Sequence, residues 1–175
     1  MLEETGQSYA SKLVEDNSDP NAIKEFTSDA IQEIYVEFRT DSRNYGKSAF
    51  EHGDYRFQYT KGHNLPYEGV ETNAALWYEF DKVSEFDFEE ADLKMFNDWI
   101  RDCGFQAQNG WDKSTTLPSS MRLELHIYYE SGEYLSIEGD GEDALPSAWD
   151  PEAFLGMLQE MANRHGASFN ALKQQ

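Results

Sequence analysis

Alternation of apolar and polar residues with a period of two is the feature that most constrains the fold of this chain. In Met121–Tyr129 every second residue is apolar or aromatic, and the residues between them are Arg, Glu, His and Tyr. Tyr134–Glu138 repeats the pattern after the short turn sequence ESGE. A strand with one buried face has this period, so the two segments predict a β-hairpin with Leu135 and Ile137 directed to the core.

Three earlier segments alternate in the same way and predict an antiparallel meander. They lie in Ile31–Arg39, around Tyr55–Tyr59 and in Leu76–Asp81, and the polar sequences between them contain Gly and Pro. A further short strand is possible around Ile23–Thr27. The side chains expected to face inward are those of Ile34, Val36, Phe38, Tyr55, Phe57, Tyr59, Leu76, Tyr78 and Phe80.

The apolar period changes to 3.6 in two places, and each predicts a helix. The first is Phe88–Cys103, with Asp87 and Glu90 as a capping pair and Gly104 at the C-terminal end. Its buried face would consist of Leu93, Phe96, Ile100 and Cys103.

The second helix is expected to begin after Asp150, a capping residue, with Pro151 in the first turn, where its missing N–H is not needed. It would end near Gly166. Its buried stripe would consist of Phe154, Met157, Leu158 and Met161.

The order of strands, helix, hairpin and helix predicts an α+β domain: an antiparallel β-sheet, made of a meander and a C-terminal hairpin, with two helices packed on one face. We expect a single domain over residues 22–166. Residues 1–21 are expected to be an N-terminal tail or a loosely docked helix, and residues 167–175 a C-terminal tail. The helix would be striped by Leu2, Tyr9, Leu13 and Val14.

Three sequence pieces, NGWDKS, MRLELHIYYESGEYLSIEGDGEDALP and WDPEAFLGMLQEM, resemble a domain of unknown function found in Gram-positive bacteria. In that family a hydrophobic helix precedes a Trp-Asp turn, a hairpin, a Gly-rich loop and a final helix, so the resemblance, over Ile23–Ala162, implies the same fold. Lys113 stands where the family has Gly, and Asp140-Gly141 replaces its usual Asn. The family brings no known activity and no catalytic residues.

The chain carries 34 Asp and Glu against 14 Lys and Arg, a formal charge of −20. The 14% of aromatic residues argues against disorder. The electrostatic field of a strongly negative protein repels nucleic acid and anionic membranes and attracts basic proteins. Cys103 is the only cysteine, and no signal peptide or long apolar run is evident, so we expect a cytoplasmic protein.

Motifs for chemistry are few. The four histidines, His52, His63, His126 and His165, have no metal-site spacing, and no nucleotide-binding or nucleophile motif occurs. We therefore expect no cofactor and no metal. Carboxylates of the sequence GDGED, which are Asp140, Glu142 and Asp143, lack the spacing of a calcium loop and are interpreted as a solvated turn. Cys103, with Asp98 and Asp102 nearby, is interpreted as a buried structural thiol.

One acidic stretch interleaves carboxylates with Phe80, Phe86 and Phe88. Carboxylates steer a basic partner and aromatic rings contribute binding energy, so the stretch is a candidate partner-binding surface, although a solvated sheet edge and helix cap explains it too. Its acidic members are Glu79, Asp81, Glu85, Asp87, Glu89, Glu90 and Asp92.

Two classes of function remain. The first is a non-catalytic acidic domain that binds a basic protein, such as an inhibitor or immunity protein of the DNA-mimic type. The second is an enzyme with a site of carboxylates and His126. A third explanation is that the acidity serves only solubility or a saline environment, which predicts weak folding at low salt.

Overall fold

A computed structural model describes residues 14–40, 50–116 and 121–169 of the chain. The predicted helical positions Leu2, Tyr9 and Leu13 lie outside the described residues, as do residues 41–49, 117–120 and 170–175 of the predicted loops and C-terminal tail. The structure has eight strands and two α-helices in the described parts: β1 (Val14–Asp16), β2 (Ile31–Thr40), β3 (Gly53–Thr60), β4 (Ala74–Tyr78), β5 (Asp81–Phe86), α1 (Glu90–Cys103), β6 (Asp112–Thr115), β7 (Met121–Tyr129), β8 (Tyr134–Asp140) and α2 (Pro151–Arg164).

The strands form one eight-stranded sheet in the order β1-β6-β8-β7-β2-β3-β4-β5. All neighbours are antiparallel except β6 and β8, which pair in parallel over Asp112–Ser114 and Glu138–Asp140. The predicted α+β class, the meander and the C-terminal hairpin are confirmed. β2 and β7 join the meander to the hairpin through a long antiparallel pairing.

The predicted alternation is confirmed in the four central strands. Val36, Phe57, Leu125 and Ile137 are fully buried on the side of the helices, whereas the residues between them face the other side of the sheet. Burial of a large apolar side chain stabilises the fold by roughly 1.5–3 kcal/mol, so this one-sided pattern fixes which face of each strand carries the core.

The meander differs from the prediction at its far end. The chain turns at Glu79 and Phe80, which both have positive φ, and returns as β5. Phe80 is therefore 76% exposed rather than buried. No strand forms over Ile23–Thr27, and Val14, expected in a helix, lies in β1.

Both helices lie on one face of the sheet and contact each other. α1 begins at Glu90, two residues later than predicted, and its capping box uses Glu89 and Asp92 rather than Asp87 and Glu90. Gly104 ends it in the left-handed conformation, as expected. α2 agrees with the prediction, because the side chain of Asp150 accepts a hydrogen bond from the N–H of Glu152 (3.1 Å).

The predicted stripe of α2 is buried, with Leu155 and Ala162 in addition. A cluster of aromatic rings joins this helix to α1 and to the strands below: Phe38, Trp99, Phe105, Trp149 and Phe154. The face of the sheet opposite the helices is called the open face below, because no described helix packs on it.

Candidate functional site

The acidic stretch from Glu79 to Asp92 divides into residues that the fold uses and residues that face solvent. Glu79 accepts a hydrogen bond from the N–H of Asp54 (2.6 Å) in the tight β4–β5 turn. Glu85 accepts from the N–H of Glu71 (3.1 Å) and forms an ion pair with Lys82 (3.3 Å). These carboxylates therefore have local structural partners.

Asp92 is fully buried and ties the two helices together. Its carboxylate accepts hydrogen bonds from the N–H of Glu89 (2.8 Å), from Nε2 of His165 (2.7 Å) and from the guanidinium of Arg164. The His165 ring stacks on Phe86, with ring centroids 4.4 Å apart. Asp92 thus joins the start of α1 to the end of α2 and offers no surface to a partner.

Glu89, Asp92 and His165 are also the only group of three possible metal ligands that converge in the described residues. Sequence spacing could not reveal this group, because His165 is far from the other two in the chain. Arg164 already neutralises the Asp92 carboxylate, and the three hydrogen bonds satisfy it. We therefore interpret the group as a structural network. Asp140, Glu142 and Asp143 form no such group.

Much of the predicted acidic surface faces solvent, but its aromatic part does not. The exposed acidic residues are Glu79, Asp81, Asp87, Glu89 and Glu90, whereas of the three interleaved aromatic residues only Phe80 is exposed. Phe86 belongs to the core, and Phe88 stacks on Tyr59 with a centroid distance of 4.1 Å. Exposed carboxylates also occur elsewhere, in β1, between β1 and β2, between β8 and α2, and in α2. They are Glu15, Asp16, Asp19, Glu25, Asp29, Glu142, Asp143, Glu152 and Glu160.

The open face holds a more ordered set of polar side chains. Its centre is a row of three glutamates on neighbouring strands: Glu138 of β8 lies opposite Glu124 of β7, which lies opposite Glu37 of β2. Side chains opposite each other on adjacent strands are about 5 Å apart, and like charges there are destabilising. This arrangement is called the glutamate row, and its opposed like charges oppose folding to the extent that neighbouring groups do not offset them.

Neighbouring side chains moderate the glutamate row, and Arg56 of β3 lies opposite Glu37 at its end. Arg122 forms an ion pair with Glu124, and Nε2 of His126 lies 3.3 Å from Oε1 of Glu138. The hydroxyl of Tyr35 donates a hydrogen bond to Glu37 (3.1 Å). Burial, together with the nearby Glu37 carboxylate, raises the pKa of Tyr35 to about 12, so this phenol remains a donor at physiological pH.

Beside the glutamate row lies a band of tyrosines. Tyr128 is 47% exposed and stacks on Tyr134, with ring centroids 4.4 Å apart. Tyr67, 41% exposed, reaches the same face from the loop between β3 and β4. Exposed aromatic rings next to carboxylates provide contact area and charge together, as binding surfaces require.

The next row, on the other side of the glutamates, mixes both charges. Arg39 lies opposite Arg122 on one side and opposite Asp54 on the other, and Arg122 lies opposite Asp140. Burial and then the carboxylate of Glu37 raise the pKa of Asp54 to about 6. One carboxylate here is therefore partly protonated near neutral pH.

His126 is the histidine that lies beside the glutamate row on the open face. Its Nδ1 lies 2.7 Å from the hydroxyl of Tyr134 and 3.3 Å from Oγ of Ser136. A hydroxyl on one ring nitrogen and a carboxylate on the other is an arrangement that can serve acid–base chemistry. His52, His63 and His165 are not part of this cluster.

Sequence reasoning placed Arg122, Glu124, His126 and Tyr128 outward but did not assemble the site. The members missed are Tyr35, Glu37, Tyr134 and Glu138. Alternation assigns each to the outward face of its strand, whereas the row itself depends on the pairing register of β2 with β7, which no local pattern gives.

Comparison of the chain with models of known protein families, with curated proteins and with solved structures finds no match. The resemblance to the domain from Gram-positive bacteria therefore stays a prediction. Both described helices, of 14 residues each, fall short of what is needed to cross a bilayer.

Proposed function

We propose that this chain is a protein-binding domain that uses its open face to bind a basic protein. The observation that carries the proposal is the glutamate row with its flanking tyrosines. Opposed like charges weaken a fold, and features that cost stability without local gain are typical of functional surfaces. A cationic partner would relieve the repulsion between the glutamates, and this relief would contribute to the free energy of binding.

The open face supports this function better than the stretch from Glu79 to Asp92. In the stretch, Asp92 is buried and two of the three aromatic rings belong to the core or stack on it. On the open face the glutamates and the exposed rings of Tyr128 and Tyr134 are adjacent. A more specific hypothesis, that the partner is a nuclease or another nucleic-acid-binding protein and that this chain inhibits it as a DNA mimic, follows from the charge of −20.

Two double variants with the same change in charge test the location. Glu37→Gln with Glu124→Gln alters the glutamate row, and Asp81→Asn with Asp87→Asn alters the exposed part of the acidic stretch. The probe is a fluorescent 12-residue peptide of alternating Arg and Ser, titrated by anisotropy at 50 and 150 mM salt. We expect the first pair to weaken binding roughly tenfold, about 1.4 kcal/mol, and the second to change it much less.

Other outcomes contradict the proposal in different ways. Equal losses in both variants would mean that the charge acts generally, as the solubility explanation requires. A loss confined to the second variant would place the surface on the acidic stretch. The DNA-mimic hypothesis is tested with a partner that the wild-type protein captures and the first variant does not. A DNA duplex should compete with the wild-type protein for that partner.

A specific observation also supports the enzymatic alternative. Ser136 and Glu138 flank His126 and line an open groove of about 700 Å³ at the edge of β8, where Asn109 and Trp111 form part of the wall. Such a site would transfer or hydrolyse an acyl group with Ser136 as nucleophile. Labelling of the wild type by a fluorophosphonate, lost in Ser136→Ala, would support it; absence of labelling in both would contradict it.

A further inference from the structure

A pocket of about 270 Å³ opens on the open face between strands β2, β3 and β7 and the loop that follows β3. Its volume is slightly below the range of pockets for drug-sized ligands. It therefore suits one long side chain. Tyrosine rings form much of its wall, from Tyr35, Tyr67 and Tyr128, and Leu65 and Pro66 complete the apolar part.

The polar groups of this pocket are mainly hydrogen-bond acceptors. The amide Nε2 of Gln58 donates to the hydroxyl of Tyr67 (3.1 Å), while its Oε1 is buried and has no hydrogen-bond partner among the described residues. Glu33 lines the pocket beside Tyr128, its neighbour across the strands. A buried acceptor without a donor is costly, so a ligand that brings N–H groups would satisfy it.

A positive charge nearby limits what the pocket can hold. Arg56 stacks on Trp77, its guanidinium carbon 4.3 Å from the ring centroid, and lies 5.8 Å from the Tyr67 ring. The carboxylate of Glu37, which lies opposite Arg56, and that of Glu33, which lines the pocket, offset this charge. Arg56 also shows that a guanidinium is compatible with the aromatic rings of this face.

We propose that this pocket receives an arginine side chain of the basic partner. The inference rests on the proposed function of the open face and specifies its anchor. A planar guanidinium can stack between tyrosine rings and at the same time donate hydrogen bonds in its plane to Gln58 and Glu33. A lysine ammonium is a compact, strongly hydrated charge and cannot satisfy both demands as well.

The test compares three peptides that differ at one central position, which is arginine, lysine or the neutral isostere citrulline, within a constant basic sequence. Wild-type protein should bind the arginine peptide about tenfold more tightly than the other two. Tyr128→Leu should reduce this preference to about twofold, because the ring is lost. Tyr128→Phe is the matched control and should retain it, since the ring remains.

A second readout is independent of affinity. The side-chain amide resonance of Gln58 in a ¹H–¹⁵N spectrum should shift with the arginine peptide and much less with the citrulline peptide. Equal affinities for the three peptides in wild type, or a preference that Tyr128→Leu leaves intact, would overturn the arginine pocket. Binding that still depends on Glu37 and Glu124 would then preserve the proposed function. If none of the peptides binds at 50 mM salt, both proposals fail.

Discussion

Glu37 and Glu124 lie directly opposite each other on β2 and β7, the two strands that join the meander to the hairpin. Both side chains are half-buried, so water screens their repulsion less than it would at an exposed position. Tyr35 donates a hydrogen bond to Glu37, Arg122 forms an ion pair with Glu124, and Arg56 lies opposite Glu37 on β3. These partners reduce the repulsion between the two carboxylates.

This pair predicts opposite effects on stability and on binding. Glu37→Gln should raise the free energy of unfolding by about 0.5 kcal/mol, because it removes the like-charge contact and keeps an oxygen that can accept from Tyr35. The measurement is urea denaturation. Glu68→Gln, an exposed loop acid with no such opposed neighbour, is the control and should change stability much less. A loss of stability in Glu37→Gln would refute the electrostatic cost assigned to the glutamate row.

Asp54 predicts a pH dependence of stability. Its pKa rises from 3.8 to about 6 on folding, so the folded state holds this proton more tightly than the unfolded chain. The resulting stabilisation is fully present below about pH 4 and is lost as the pH rises through about 6. Asp54→Asn should therefore gain stability relative to wild type between these values, reaching roughly 3 kcal/mol at pH 7.

Denaturation of wild type and Asp54→Asn at several pH values from 4 to 8 measures this difference. Asp98→Asn provides a control of the opposite sign. Hydrogen bonds from Lys94 and Arg101 lower the pKa of Asp98, so its contribution is present at neutral pH and is lost on acidification. A difference for Asp54→Asn that does not change with pH would contradict the raised pKa.

The buried carboxylate of Asp92 should be the most sensitive polar position in the described chain. Asp92→Ala leaves Arg164 and His165 without their common acceptor and removes one of the two capping-box contacts of α1. Arg164 can turn toward water, so we expect a loss of about 3 kcal/mol, the lower part of the range for broken buried ion pairs. Asp98→Ala, which removes a half-buried paired acid from the same helix, should cost far less. Similar losses in urea denaturation would contradict the structural network.

Much of the fold could be predicted from the sequence, because the long strands and both helices bury one face each. The alternation in β7 and β8 directly predicts which of their residues are buried in the core, and the apolar stripe does the same for α2. β1, at one edge of the sheet, and β6 beside it are short strands without a usable period, and their places depend on pairings far apart in the chain. Their positions, and the parallel pairing of β6 with β8, could not be derived locally.

The candidate site was harder to predict from the sequence than the fold, for a related reason. Glu37 and Glu124 were each assignable to an outward face, but their contact follows from the register of β2 against β7. The density of carboxylates in the stretch from Glu79 to Asp92 predicted a surface there. Asp92 is buried instead, because it pairs with Arg164 and His165 at the end of α2. In both cases long-range packing decides which charges are available.

Cys103 should react slowly with thiol reagents. Burial, followed by the carboxylates of Asp150 and Asp102, raises its pKa, and the thiolate is the reactive form. Alkylation by iodoacetamide at pH 8 should be about tenfold slower in the native protein than in urea, where the thiol is exposed. Equal rates in the two states would contradict a protected thiol at the end of α1.

The β4–β5 turn makes a separate prediction about Phe80. This side chain is 76% exposed and has a φ of 70°, a conformation that costs a residue with a Cβ atom roughly 1 kcal/mol. The two-residue turn with positive φ at both positions favours glycine. Phe80→Gly should therefore stabilise the protein by about 1 kcal/mol in urea denaturation, and Phe80→Ala, which keeps a Cβ atom, should not. If Phe80→Gly instead lowers stability, the ring of Phe80 must make contacts that its exposure does not indicate.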